Sequence, residues 1–214
     1  MKLESIKNLN LFKDERILLN IDNTHTNIEV NNSQIMMNAW EVYNDNKNII
    51  ININIHENTV WELNFSYITY KELNLKINIK ISGNNNKCHL VIHGISKQKG
   101  KSIIEINGEV KENTHHNNLD EVIKIINSSD EVNQIIPNMI IASYDALATH
   151  GAVISKFSDE DIYYLEKKGL SYKMAVGLLE RGFLVSNLKI SEDQKKKIKD
   201  RLEKMEVSNY EYSG

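Results

Sequence analysis

Between about residues 15 and 112 apolar and polar positions alternate with a period of two. Ile49 to Ile55 reads I-I-I-N-I-N-I, and Leu73 to Ile81 reads L-N-L-K-I-N-I-K-I. Shorter runs of the same kind are Ile17-Leu18-Leu19-Asn20-Ile21 and His89-Leu90-Val91-Ile92. Such alternation places one set of side chains inside and the other outside, which is the signature of half-buried strands. The strands recur roughly every ten residues. Polar turns separate them, at Asp22-Asn23-Thr24, Gly83-Asn84-Asn85-Asn86 and Asn107-Gly108. This spacing suits a sandwich, a barrel or a β-solenoid. Asn-Gly hairpin signals are few, which favours the solenoid with its loose corners.

After His150 the period changes. Ser158-Asp159-Glu160-Asp161 reads as a capping box with Asp161 at the third helical position. The predicted helix carries Ile162, Tyr163 and Leu165, and Gly169 suits its left-handed C-terminal cap. Ser171 is expected to cap a second helix that ends near Gly182-Phe183, and Ser191 with Gln194 a third. The division expected is a β body over residues 1–156 and a helical domain over 157–214. Residues 119–127 fit a helical stripe and a buried strand equally well.

Composition narrows the class. The 214 residues carry a formal charge of −3, so no basic field invites nucleic acid. No apolar run approaches the ~20 residues that span a bilayer, and the first fifteen residues lack the apolar core of a signal peptide. The reading is a soluble, cytoplasmic chain with neither membrane nor nucleic acid as partner. A single cysteine excludes a disulfide framework and any all-cysteine metal site within one chain. The chain is crowded with Asn, a bias of base composition or a physical device, since Asn tolerates left-handed turns and stacks in ladders. A phosphate loop of the form G-x-x-x-x-G-K-[ST] is absent, and so is any Ser/His/Asp arrangement at motif spacing. The expectation is that the chain is not an enzyme.

The stretch IPNMIIASYDALATHGAVISKFSDEDIYYLEKKGLSYKMAVGLLERGF, residues 136–183, resembles the C-terminal signature of the SufB/SufD family, the core proteins of the SUF iron–sulfur cluster assembly machinery. Pro137, Asp145, His150, Gly151, Ala152, Tyr164, Leu165, Gly169, Ala175 and Phe183 fall in the matching places. Upstream, GISKQKGKSIIEINGEV (94–110) and KIINSSDEV (124–132) are similar to the strand-and-turn and strand segments that precede this signature, which makes 119–127 a strand. The resemblance covers about residues 90–185.

The resemblance implies a mainly β fold, a right-handed parallel β-helix with a small C-terminal helical domain. It implies a homodimer, or a heterodimer with a SufB/SufD-like subunit, formed through the last β-helix strands. It also implies docking of the helical domain onto a SufC-type ABC ATPase. The cofactor implied is a transient iron–sulfur cluster, with none permanently bound. His150 is the implied metal ligand, and the expectation places it where the last strand turns into the helices, with Gly151 permitting that turn. Cys88, the lone thiol, is the other candidate for contact with a cluster, although a lone cysteine is more often a small buried hydrophobe. Tyr163, Tyr164, Leu165, Tyr172, Met174, Leu178 and Phe183 form the implied docking surface. The alternatives are a SufD-like structural subunit that recruits the ATPase without metal, and a carbohydrate-active solenoid, which needs clustered carboxylates on one face.

Overall fold

The computed structural model describes residues 8–11, 15–19, 21 and 24–211, with side chains at residue 21 and over 24–204. The expected turn at Asp22-Asn23 lies outside the described residues. Twelve strands come first: β1 (Asn8–Leu11), β2 (Glu15–Leu19), β3 (His25–Val30), β4 (Gln34–Tyr43), β5 (Lys47–Ile55) and β6 (Val60–Thr69). There follow β7 (Glu72–Ile81), β8 (Lys87–Gln98), β9 (Lys101–Val110), β10 (Asn118–Ser129), β11 (Gln134–Ile141) and β12 (Leu147–Ser155). Three helices end the chain: α1 (Asp159–Lys167), α2 (Tyr172–Ser186) and α3 (Glu192–Glu211).

The odd-numbered strands form one six-stranded sheet in the order β1-β3-β5-β7-β9-β11, and the even-numbered strands a second in the order β2-β4-β6-β8-β10-β12. Every recorded pairing is parallel. The chain therefore winds from one sheet to the other and back, one coil on the next. The alternating pattern read from the sequence is its inside–outside code. Ile51, Ile77 and Ile106 lie in one register column of the odd sheet, and Trp61, Phe65 and Tyr67 point inward from β6. β-Branched side chains suit these half-buried pleated surfaces.

Asparagine has a structural role here. Asn52, Asn78, Asn107 and Asn138 each donate their side-chain amide to the asparagine one coil below, at 2.8, 2.7, 2.9 and 2.9 Å, starting from Asn27. A second ladder runs up one corner. Asn32, Asn58 and Asn85 hold φ of 48°, 50° and 59° and bond amide to amide at 3.1 Å. Left-handed backbone costs Asn less than other side chains. Asn107-Gly108, expected as a turn, instead lies inside β9, where Asn107 continues the outer ladder and Gly108 faces the core. Its Asn-Gly sequence did not make a turn because the flanking alternation continues through it.

Close approach fixes another glycine. A Cβ at Gly94 would lie 2.3 Å from Cζ of Tyr67, a ring buried with Phe65 at a centroid distance of 5.5 Å. Gly94→Ala is expected to lower stability by about 2 kcal/mol through overpacking, measured by urea unfolding. Adding Tyr67→Leu should recover part of that loss, and an alanine variant as stable as wild type would remove the packing argument.

The helices do not cap an end of the solenoid. They lie along the outer face of the even sheet. The outward column Val42–Ile68–Ile95–Ile126 meets Leu184, Val185, Leu188, Ile198 and Leu202. Polar contacts set the fit: Ser66 Oγ donates to the Leu184 carbonyl at 2.8 Å, and Asn187 Nδ2 to those of Phe65 (2.9 Å) and Val91 (3.2 Å). Lys97 pairs with buried Glu180 at 2.7 Å. These contacts explain why α2 continues beyond Gly182-Phe183 to Ser186. The expected caps are present. Ser158 Oγ accepts from Asp161 N at 3.1 Å, Ser171 Oγ from Met174 N at 3.3 Å, and Ser191 and Gln194 bond reciprocally. Gly169, at φ 91°, closes α1. Its N–H donates to Glu166 O and that of Leu170 to Leu165 O, which satisfies the last carbonyls. Among the described residues no helix is long and apolar enough to cross a membrane.

Candidate metal centre at the open end of the solenoid

The last coil consists of β11 and β12. Among the described residues each pairs on one edge only, with β9 and β10 respectively. The opposite edges present unpaired backbone groups. Ile136, Ile140, Leu147, Val153 and Ile154 are exposed around them.

His150 lies in the middle of β12, not where the strand turns into the helices. Gly151 makes no turn: it continues the strand, has no positive φ, and a Cβ there would meet nothing within 4 Å. The turn toward α1 begins after Ser155, four residues later. His150 stands in register with Glu121 of β10, which stands in register with Leu90 of β8. The inward positions of β10 are Leu119, Glu121, Ile123 and Ile125. The matching positions of β12 are therefore Ala148, His150, Ala152 and Ile154. His150 belongs to the inward series, and it is exposed because among the described residues no coil lies above it.

Sequence reasoning missed Glu121. Its relative exposure is 0%, and neither carboxyl oxygen has a hydrogen-bond partner among the described residues. Burial, helped by the neighbouring Asp120 charge, pushes the carboxyl up to about 7. Across the interior stands Gly108, where an added Cβ would lie 2.8 Å from Oε1 of Glu121. The glycine leaves the space that the carboxyl fills. The signal was present as a lone acid in the stretch 119–127 already expected as a strand, but it was legible only once the inward parity of that strand was fixed by its register with β8.

Cys88 is elsewhere. It stacks in the column Trp61–Cys88–Leu119–Ala148, two residues along the strand from the His150 column and two coils below it. Strand rise and spacing put it roughly 12 Å from His150. Its thiol is buried, and burial pushes it up to about 12. Without a metal beside it, a thiol held in that state packs as a small hydrophobe. Among the described residues no group of three or more His, Cys, Asp or Glu side chains is placed to hold a metal ion. His150 and Glu121, neighbours in one register column, are two side chains and fall short of such a group.

Five other histidines make contacts of their own away from this end of the column. His93 stacks on Phe183 at 4.3 Å and 4°, with its Nδ1–H donating to the Phe183 carbonyl at 2.9 Å, and burial holds its pKa below the usual value. His89 pairs with Asp120 at 2.8 Å on the outer face, and Asp120 also accepts from Thr149. His115 and His116 lie exposed beside Asp145, at 3.5 and 3.4 Å. Carboxylates on the outer face of the odd sheet are engaged by bases, Glu105 by Lys76 at 2.8 Å and Glu29 by His56 at 2.8 Å.

On the helical flank, Tyr163, Tyr164, Tyr172, Met174 and Leu178 are exposed, and Leu165 is half-buried. Lys167 lies 4.3 Å over the Tyr163 ring. Phe183 is not part of this surface, because it is held between His93 and Phe157 against the solenoid.

Two parallel sheets wound coil upon coil, with helices along one flank and an open terminal coil, make this a β-solenoid protein. The family described as "SUF system FeS cluster assembly, SufBD core domain" matches residues 5–183. The chain belongs to that family. The match extends the likeness seen in residues 90–185 back through the early strands and ends within α2. No curated protein matches the chain.

Proposed function

We propose that this chain is a non-catalytic scaffold subunit of SUF iron–sulfur cluster assembly. Its open coil meets a second copy or a related subunit, and the exposed face of α1 and α2 receives a SufC-type ABC ATPase. The observation that carries the reading is the open end itself: unpaired strand edges, an apolar surround, and His150 exposed in the inward series directly above a buried carboxyl. Edge-to-edge pairing of β11 and β12 with another such end would satisfy their free backbone groups. It would also bring two His150–Glu121 pairs toward one seam, where imidazole suits iron of borderline softness. The iron and the cluster are cargo in this reading.

A structural subunit without metal is the second reading. It is favoured by the burial of Cys88 and by the absence of a three-residue ligand group among the described residues.

Anaerobic co-expression with a SufC-type ATPase, followed by iron and sulfide analysis, separates the two. The scaffold reading expects a brown complex whose colour is lost in His150→Ala while the complex persists. A colourless complex in both proteins establishes the structural subunit, and failure of the ATPase to co-purify overturns both readings. Tyr172→Ala with Met174→Ala, both on exposed side chains, is expected to weaken ATPase binding at least tenfold with no change in melting temperature.

A further inference from the structure

We propose that the helical flank is held to the solenoid by a proton-sensitive clasp: His93 and Lys97 of β8 grip Phe183 and Glu180 of α2, and a proton added to His93 loosens α2 while the solenoid stays wound. The inference goes beyond the scaffold reading and holds whether or not metal or an ATPase binds.

The clasp has two points. His93 lies flat on the Phe183 ring, at 4.3 Å and 4°, and its Nδ1–H donates to the Phe183 carbonyl at 2.9 Å. Phe157 closes the other side of that ring edge-on at 6.3 Å. Four residues along the same outer face of β8, Lys97 reaches Glu180 at 2.7 Å. Glu180 and Phe183, three positions apart, share one face of α2, and both Glu180 and His93 are buried. The exposed Tyr172, Met174 and Leu178 belong to the same helix. The clasp therefore sets where that outer face is presented.

The ring is uncharged in the docked state, and its surroundings keep it so. In its register column stand Lys124 of β10 and Ser66 of β6, and Ser66 does not titrate. Lys97 follows on its own strand, Glu180 and Arg181 precede Phe183 on α2, and Lys156 adjoins Phe157. Glu180, the acid of this set, is engaged by Lys97. His89, four residues earlier on the same face, shows the contrast: it is half-exposed and has Asp120 beside it at 2.8 Å. Burial holds the His93 imidazole below its usual 6.5. The bond to Phe183 favours the proton and the charge of Lys124 opposes it. A proton taken up at Nε2 would place a cation under the helix, next to a lysine. Docking thus has its full strength above pH 6.5 and loses it as pH falls through the lower value of the docked ring.

The two tryptophans separate flank from solenoid. Trp40 packs against the flank cluster with the Arg201 guanidinium 5.1 Å over its ring, whereas Trp61 is sealed inside the coils. The test is a titration of the full chain from pH 8 to 5, followed by tryptophan emission and far-ultraviolet circular dichroism. Wild type is expected to show a red shift with its midpoint below 6.5 while the dichroism of the strands is unchanged. In His93→Gln the amide can still donate to the Phe183 carbonyl but cannot take a proton, so the emission should stay blue throughout. His89→Gln should behave as wild type. In wild type, NMR of the histidine rings should place the titration of His93 at the same midpoint as the red shift. A wild type with no red shift down to pH 5 overturns the proposal. So does the same red shift in His93→Gln, which would put the sensitivity in the Lys97–Glu180 pair, and so does loss of strand dichroism along with the shift. ATPase binding enters none of these readouts, so failure of the docking reading and failure of the clasp are distinguishable.

Discussion

Glu121→Gln is expected to stabilise the metal-free chain at pH 8 by about 3 kcal/mol and to flatten its pH dependence between about 4.5 and 7. In the folded chain burial raises the Glu121 carboxyl from 4.5 to about 7. Between those values the folded state holds a proton that the unfolded state has released. Stability from this group is thus fully present below about 4.5, falls by up to about 1.4 kcal/mol per pH unit, and is lost above about 7. Glutamine cannot titrate and brings no charge into the niche beside Gly108. The variant and wild type should converge near pH 4 and separate progressively above pH 5. Urea unfolding of both proteins at pH 4, 5, 6, 7 and 8 measures this. Parallel curves would mean that the carboxyl is solvated in the folded chain, and the buried-acid description of the open end would be wrong.

Asn117→Ala is expected to lower stability by about 3 kcal/mol. From one buried corner position, Asn117 Oδ1 accepts from the backbone N–H and the side-chain amide of Asn86, at 3.1 and 3.0 Å. Its own amide donates to Gly83 O and Thr114 Oγ1, both at 3.0 Å. Asn86 passes the connection on, accepting from Thr59 N at 2.9 Å. Alanine would orphan donors and an acceptor in a dry corner, each worth about 1–3 kcal/mol and not additive. The contrast is Asn138→Ala, at the exposed end of the outer ladder with one bond to Asn107, where a change within about 0.5 kcal/mol is expected. Equal midpoints for the two variants in urea would show that the inner corner network does not hold the coils in register.

The abundance of Asn was visible from the start, and a ladder was one of its readings. Which asparagines stack could not be read, because rungs are separated by 25, 26, 29 and 31 residues. No fixed period in the sequence announces such drifting spacings. Gly108 and Gly151 were misread for a related reason. A glycine carries no sign of whether it serves a turn, a close approach or nothing, and here one faces Glu121 and the other faces open space. The family resemblance counts Phe183 with the docking face. Only the stack with His93, ninety residues away in sequence, shows that it is internal.

The sequence by itself determined the local features of this protein. Alternation dictates the strands, Ser158, Ser171 and Ser191 start the helices, Gly169 ends the first of them, and one spaced motif identifies the family. These are short-range properties, set by backbone sterics, capping and side-chain periodicity within a few residues. The tertiary structure alone decided which coil stacks on which, that the helices lie along the flank and leave the last coil open, and that an acid sits buried beneath His150. Those follow from pairing between residues some thirty positions apart, where burial and register are settled by the neighbouring coil and not by the segment itself.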